Sequence, residues 1–437
     1  MTQKNIKRRN AFNTITKYYE NMLVQNTIDL LNLPGWVVQD VQDKDEYLLI
    51  EASVSEVPDE CPLCDSTRPP YHFGYRPRQV ADLPIRMRPV QIRARRHRYR
   101  CRDCAGTYLD QLPGIHGQHN ATERLVEYIQ VHALSLTSTF ASLARDIGVS
   151  DWLVRDIVMT QVERLEREYV LQTPRYLGID ELYVEDHIYC VLTDIERRCV
   201  IDLLPKRDMD SVKRWLMQLK KGDQIEATTM DLWNPYRSAI QALVPKARII
   251  ADKYHVLRQA NEVVETVRKS LRDTLSPAQA KQLKQDRKIL LKRAKDLTEQ
   301  QRFILESWTG FIPLLHELYQ CKEEFFRIYD AGSEQDAYER YLTWQQHIPP
   351  ALAEAFHTLQ QTVEAWKSEV FNFFETEMPL TNAYTERANL SIREATRITY
   401  GLSFRVLRAK LLFSPANTAK RKATPQRSQP QQSLSFE

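Results

Sequence analysis

Two Cys-x-x-Cys pairs, Cys61-Pro-Leu-Cys64 and Cys101-Arg-Asp-Cys104, constrain this chain more than any other feature. Each pair can turn two sulfurs onto one ion from a tight knuckle, and two knuckles complete a tetrahedral four-thiolate zinc site. Such a site has no open position and is structural. The stretch between the pairs is longer than usual for zinc modules, and a three-stranded ribbon would fill it. Two pairs in one basic module do not make a thioredoxin pattern. A disulfide framework is out of place in a large chain whose basic start, MTQKNIKRRNAFN, is followed by no apolar secretory segment. The other cysteines, Cys190, Cys199 and Cys321, lie in apolar segments and read as core.

Between the pairs, Ile85–Arg102 carries Arg86, Arg88, Arg93, Arg95, Arg96, Arg98, Arg100 and Arg102 without one acid. Arginines fall at odd and even positions, so a strand here is positive on both faces. Repulsion this concentrated calls for a polyanion, and phosphate is the expected partner of Arg93, Arg95, Arg96, Arg98 and Arg100. The net charge of +4 over 437 residues decides little by itself; its distribution matters more. Hydrophobic residues make up 43% of the chain, enough for several packed cores, yet no run reaches the roughly 20 apolar residues of a membrane span. A cytoplasmic, nucleoid-associated bacterial protein is the expectation.

A helix-turn-helix is expected over Thr139–Ile157. Phe140, Leu143, Ala144 and Ile147 form an apolar stripe, Gly148 supplies the turn, and Ser150 caps a second helix whose Val154 and Ile157 face inward. Asp151, Trp152 and Arg155 would then face a DNA groove. An ordinary helical hairpin is the bland alternative, made weaker by the basic module beside it.

From Arg175 the text changes to short β-rich runs: Tyr176–Ile179, Ile188–Thr193, Cys199–Leu204, Ala227–Met230 and Ala247–Ala251. The first three suggest an antiparallel meander, and helices separate the last two, as in an α/β sheet. Asp180 and Asp231 each end such a run, where two carboxylates can share hard cations through oxygen ligands. Glu386, on a later helical stretch, would close the site. Asp194 and Asp252 have similar claims by position alone, and strand-end acids are often just turn or cap residues. The segment between Tyr254 and Glu375 is helical in pattern.

Several stretches together, in this order, are similar to insertion-sequence transposases of the ISL3 type: Cys61–Cys64, Asp82-Leu-Pro-Ile85, Arg96–Cys104, Gly178-Ile-Asp-Glu181, Met230–Tyr236, Ala251-Asp-Lys-Tyr-His255, Thr381-Asn with Glu386 and Asn389, and Gly401–Lys410. The resemblance implies an RNase H-like fold and a DDE triad of Asp180, Asp231 and Glu386 holding Mg²⁺ (or Mn²⁺). It also makes the helical stretch an insertion into the catalytic domain. Trp233, Tyr236, Asp252, His255 and Asn382 match motif positions without a fixed role, and Asn389 and Arg393 are expected to face DNA phosphate. Arg387 with Ala388, Arg393 and Tyr400 depart from the family pattern, which touches DNA contacts and not the ligands.

The fold class expected is multidomain α+β: a zinc ribbon, a helix-turn-helix, and an RNase H-like α/β domain interrupted by an all-helical insertion. The divisions are an N-terminal region at 1–57, with a short helix and strand-like runs, a four-cysteine zinc module at 58–118, and a helix-turn-helix domain at 119–172. The catalytic domain follows at 173–270 and 376–413, split by the insertion at 271–375, with a disordered tail at 414–437. Partners would be double-stranded DNA, both terminal inverted repeats and target, with no membrane, and a homodimer or larger assembly on the DNA. A zinc and helix-turn-helix transcription regulator is the competing class, and it leaves the strand-end acids unexplained. A domesticated, inactive transposase is another. A tyrosine recombinase, prompted by His255-Val-Leu-Arg258 and Tyr400, needs no sheet with clustered acids.

Overall fold

A long hairpin fills the space between the two cysteine pairs. In the computed structural model, which describes residues 31–375, 380–399 and 401–422, strand β3 (Tyr71–Ile85) runs antiparallel to β4 (Arg88–Arg100). Arg86 and Met87 form the two-residue turn, both at positive φ, the conformation that matches the twist of a hairpin. Short β5 (Thr107–Leu109) adds to β4 after the second cysteine pair and completes a three-stranded ribbon. Two earlier strands, β1 (Trp36–Asp43) and β2 (Leu48–Val54), join the same sheet in the order β1-β2-β4-β3. The boundary expected at residue 57 is therefore absent: β2 pairs in parallel with β4, and Ile50, Ile92, Ala94 and Val80 share one core. The helix expected in the first residues lies outside the described residues.

Three helices complete this unit, which ends near Arg167: α1 (Glu123–His132), α2 (Phe140–Ile147) and α3 (Asp151–Glu168). Thr122 caps α1 and also donates its hydroxyl to buried Asp82, which Arg124 pairs with as well. That contact explains the Asp82-Leu-Pro-Ile85 motif as a lock between hairpin and helix. Helix α2 has a capping box at Thr139 and buries Phe140, Leu143, Ala144 and Ile147, the expected stripe. Gly148 ends it at φ 70°, where a Cβ would also come 2.2 Å from Pro89. Ser150 accepts from the Leu153 N–H, as a cap should.

The second unit is built on a five-stranded sheet: β6 (Tyr176–Val184), β7 (His187–Asp194), β8 (Cys199–Leu204), β9 (Ala227–Met230) and β10 (Arg248–Ala251). Their order is β10-β9-β6-β7-β8. The first three form the expected antiparallel meander, while β9 and β10 run parallel to β6. Helices α4 (Met209–Leu216) and α5 (Asn234–Leu243) connect the strands and pack Trp215, Tyr236 and Ile240 against Leu177, Ile179 and Leu192.

After β10, helix α6 (Lys253–Ser270) leads into a helical region. It comprises α7 (Pro277–Gln285), α8 (Arg287–Leu291), α9 (Glu299–Phe311), α10 (Pro313–Ile328), α11 (Glu334–His347), α12 (Ala353–Ala365) and α13 (Lys367–Phe371). Val256, Val263 and Val267 of α6 lie in one core with Leu315, Phe325, Trp344 and Phe356. Packing thus assigns α6 to the helical region as much as to the sheet. The chain returns through α14 (Ala383–Ile398), which crosses the sheet centre, then α15 (Phe404–Phe413) and α16 (Pro415–Lys422). Residues 415–422 are helical where a disordered tail was expected, because Asn417 satisfies both the N–H and the carbonyl of Val200 on edge strand β8. The tail beyond 422 and Tyr400 lie outside the described residues. Among the described residues, no helix is long and apolar enough to cross a membrane.

Candidate metal centres

Parallel strands β9 and β10 stop in register, Met230 beside Ala251, so Asp231 and Asp252 leave the sheet side by side. His255 follows in the first turn of α6, its Nδ1 at 3.0 Å from Asp231 Oδ1 and 3.0 Å from Asp252 Oδ2. Asp180 reaches the same place differently. It sits in the middle of β6 and not at a strand end, but β9 pairs only as far as Ile179. Beyond that point β6 is open on one side, and Asp180 faces Asp231 there. Glu386 arrives on the first turn of α14 and lies against Asp252.

Electrostatics reports the crowding. Burial, then the charge of Asp231, pushes the Asp180 carboxyl up to about 8. Burial and Asp252 push Glu386 up to about 7. For His255, burial opposes the charge, but hydrogen bonds to Asp231 and Asp252 overcome it and hold the imidazole up at about 11. Among the described residues, Asp231 Oδ1 and Glu386 Oε1 are buried without a well-aligned donor. Hard, oxygen-rich and short of positive charge, the cluster fits a divalent cation such as Mg²⁺. The tightest ligand group is Asp231, Asp252 and His255, whose ligand atoms lie within 4.8 Å of one another. Asp180 and Glu386 flank it on either side. The expected trio is therefore brought together through Asp252, a residue whose role the sequence left open. Asp194, its rival by position, is held by Arg197 at 2.8 Å. Glu181 points the other way and pairs with Arg207, as strand alternation requires.

One polar face of α14 sets this geometry. Asn382 donates from its amide to the Ile179 carbonyl at 3.2 Å, accepts from Thr229 Oγ1 at 3.1 Å, and donates its backbone N–H to Asp252 Oδ1 at 3.4 Å. Thr385 meets Thr193, hydroxyl to hydroxyl, at 2.6 Å. Asn389 donates to Asp180 Oδ2 at 2.7 Å and to the Glu181 carbonyl at 3.1 Å. These positions share one face of a helix, so the register of Glu386 is fixed by buried hydrogen bonds. Gly178 makes room: a Cβ there would come 2.4 Å from both Thr193 and Thr385 Oγ1. Asn389, expected to face phosphate, is instead buried and holds a carboxylate. Arg393 is exposed one turn later.

In the ribbon, the four cysteine sulfurs lie within 4.8 Å of one another, with Cys61–Cys104 at 3.9 Å and Cys64–Cys101 at 3.7 Å. Zinc bonds of about 2.3 Å imply a tetrahedral edge of about 3.8 Å, so the set fits that ion. Both knuckles have the same backbone: Cys61 N–H donates to the Ser66 carbonyl and Cys101 N–H to that of Gly106, at 2.8 and 2.9 Å. The arginine run is less uniform than its sequence. Arg96 pairs with buried Asp110, and Arg93 with Glu51 at 2.8 Å, acids supplied from outside the run. Arg95 lies over Tyr75 at 3.9 Å, and Arg98 and Arg100 flank Phe73. On α3, Trp152 is 70% exposed, with exposed Arg155 beside it.

Residues 177–411 match a family model for transposases of the ISL3 type, which spans more than half of the chain. The chain belongs to the ISL3-type transposase family. Residues 58–104 match a second model, the zinc finger of transposases IS204/IS1001/IS1096/IS1165. A relative, the transposase for insertion sequence element IS1001 of Bordetella parapertussis, is 25% identical over 339 residues, covering 74% of this chain and 80% of that protein. The family match encloses both the sheet and the helical region, and the zinc-finger match ends at Cys104, the last of the four sulfurs. Membership brings with it DNA cleavage and transfer in general terms, and the four-cysteine cluster within the zinc-finger match supports a structural zinc. Asp252, His255, Asn382 and Thr385 are the site residues that sequence reasoning left unassigned. The signal for the first two was present: Asp252 follows β10 as Asp231 follows β9, and His255 stands three residues on.

Proposed function

We propose that this chain nicks DNA at the ends of an insertion sequence and joins them to target DNA, using Asp180, Asp231 and Glu386 as metal-binding carboxylates with Asp252 as a fourth. The observation that carries this reading is the paired ending of β9 and β10, which sets Asp231 and Asp252 side by side next to Asp180, with the His255 imidazole bridging the pair. The sheet order, an antiparallel meander flanked by two parallel strands, supports an RNase H-like assignment. These carboxylates would hold Mg²⁺ or Mn²⁺, which would supply activation of a water or 3′-hydroxyl and charge stabilisation for an in-line phosphoryl displacement. The chain's part is to hold its ligands rigid: Asn389 orients Asp180, Asn382 ties α14 to the strand carrying it, and His255 bridges Asp231 and Asp252.

Recognition falls to the N-terminal unit. Helices α2 and α3, joined at Gly148, support a helix-turn-helix in which Trp152 and Arg155 face a groove. Arg95, Arg98 and Arg100 serve as phosphate contacts, and Arg393 does so beside the catalytic helix. Because two ends must be joined, the active form is a dimer or larger assembly on DNA. The test is a cleavage assay with Mg²⁺ on the DNA flanking the encoding gene. Nicking at a defined junction is expected, with none by Asp231→Asn although that variant still binds. A joined product from Asp231→Asn would overturn the carboxylate assignment.

A further inference from the structure

Next to the carboxylates lies an open groove of about 630 Å³ for which phosphoryl transfer by itself has no use. Its lining includes apolar Ile188, Met209, Trp233 and Pro235, cationic Lys206 and Arg207, and Asp208, whose carboxylate accepts from the Ser211 N–H as the cap of α4. Trp233 stands two residues after Asp231, and its backbone N–H donates to the Asp231 carbonyl at 2.7 Å, which anchors the indole close to that ligand. The indole is 36% exposed, although its large apolar body gains most from burial. Arg207 lies over the ring at 4.5 Å and at the same time pairs with Glu181, the neighbour of Asp180. One side chain therefore links the groove to the strand that carries a catalytic carboxylate.

We propose that this groove receives the base of the nucleotide next to the scissile phosphate, unstacked from its duplex and laid against Trp233. The inference rests on the strand-transfer reading of the carboxylate site. An aromatic wall with apolar flanks suits the π-face of any base, and two cations at the rim suit the phosphates on either side of it. A strand whose phosphate lies over Asp231 must pass Trp233, because the two residues belong to one turn. An apolar side chain of a partner protein would use the apolar lining alone, whereas a nucleotide uses both that lining and the cationic side chains beside it. Withdrawing one base from the stack also frees the strand to bend into the carboxylates, which a base inside a duplex prevents.

Photocrosslinking tests this directly. Duplexes spanning the junction between element end and flanking DNA carry a single 5-iododeoxyuridine, moved one position at a time, and irradiation joins that base to an aromatic ring stacked on it. With the full-length protein, the position beside the nicked phosphate is expected to crosslink to the peptide containing Trp233. Trp233→Ala should lose that crosslink and nick about tenfold more slowly or worse, while Trp233→Phe keeps both. Trp233 is exposed, so thermal melting of Trp233→Ala should match the wild type and exclude misfolding as the cause. Junction crosslinks that reach only other peptides, or wild-type nicking by Trp233→Ala, would overturn the proposal. Crosslinking needs no cleavage, so absence of nicking by the wild type would count against the strand-transfer reading alone. The crosslink map would still decide the groove.

Discussion

Both units of this molecule gather anionic ligands around a place for a cation, and they do so in opposite ways. In the ribbon, four soft thiolates come from two short knuckles with the same backbone turn, and the tetrahedron they close leaves no vacancy. In the sheet unit, hard carboxylates come from a mid-strand position, two strand ends and a helix more than 130 residues further on, as Asp252 and Glu386 show. Asp231 Oδ1 and Glu386 Oε1 lack a well-aligned donor, so the set is not saturated. A closed soft site can only hold a fold together. An open hard site can do chemistry, and it needs a scaffold that the ligands themselves do not supply. Here that scaffold is the Asn382–Thr385–Asn389 face of α14.

That contrast can be broken at either end. The largest effect is expected from Asp231→Asn, which should slow nicking and joining by roughly a thousandfold or more while leaving DNA affinity nearly unchanged. Equal loss of binding in a filter or gel assay would merge the two roles that the comparison separates. Zinc chelation, or Cys101→Ser, should unfold the N-terminal unit, since a structural zinc contributes on the order of 10 kcal/mol to folding. Calorimetry should then show one transition lost and the sheet unit melting as before. Retention of tight end-binding after chelation would sink the structural role.

A smaller effect is expected at the scaffold. Asn389→Ala removes the amide that orients Asp180 and should weaken Mg²⁺ dependence or turnover by roughly 10–100-fold, with DNA affinity intact. An unchanged metal titration would mean that α14 positions nothing. The smallest changes should come from the arginines, and they should divide. Arg98→Ala with Arg100→Ala is expected to flatten the salt dependence of binding by about 0.9 in slope for each phosphate no longer neutralised. Arg96→Ala should instead lower stability by about 1–3 kcal/mol, since it leaves buried Asp110 with the His97 N–H but without its cationic partner. If Arg96→Ala changed the salt slope alone, the division between structural and DNA-facing arginines would fail.

Legibility followed sequence distance. The zinc cluster, the turn at Gly148 with the Ser150 cap of α3, and the five strands could all be read locally, because ligand spacing, capping chemistry and apolar periodicity are short-range properties. Errors came where long-range pairing intervened. Strands β1 and β2 stand apart from the ribbon in sequence, and their parallel pairing with β4 leaves no local trace. Residues 415–422 looked like tail because nothing near Asn417 indicates that it will satisfy the Val200 backbone on β8. Eight arginines looked alike until folding brought Asp43, Glu51 and Asp110 to three of them.

The carboxylate site divides along the same line. From the sequence alone came the ligand types, the strand-end placement of Asp231 and, through an ordered resemblance, the trio with Asp180 and Glu386. Only the tertiary structure showed that Asp252 and His255 lie beside them, that Asn389 faces inward to Asp180, and that an exposed tryptophan lines a groove two residues beyond Asp231. Residue types and short spacings determine which chemistry is available. Which acids share a cation depends on where neighbouring strands stop and how a distant helix docks, and those are properties of pairing between segments that no single stretch of chain contains.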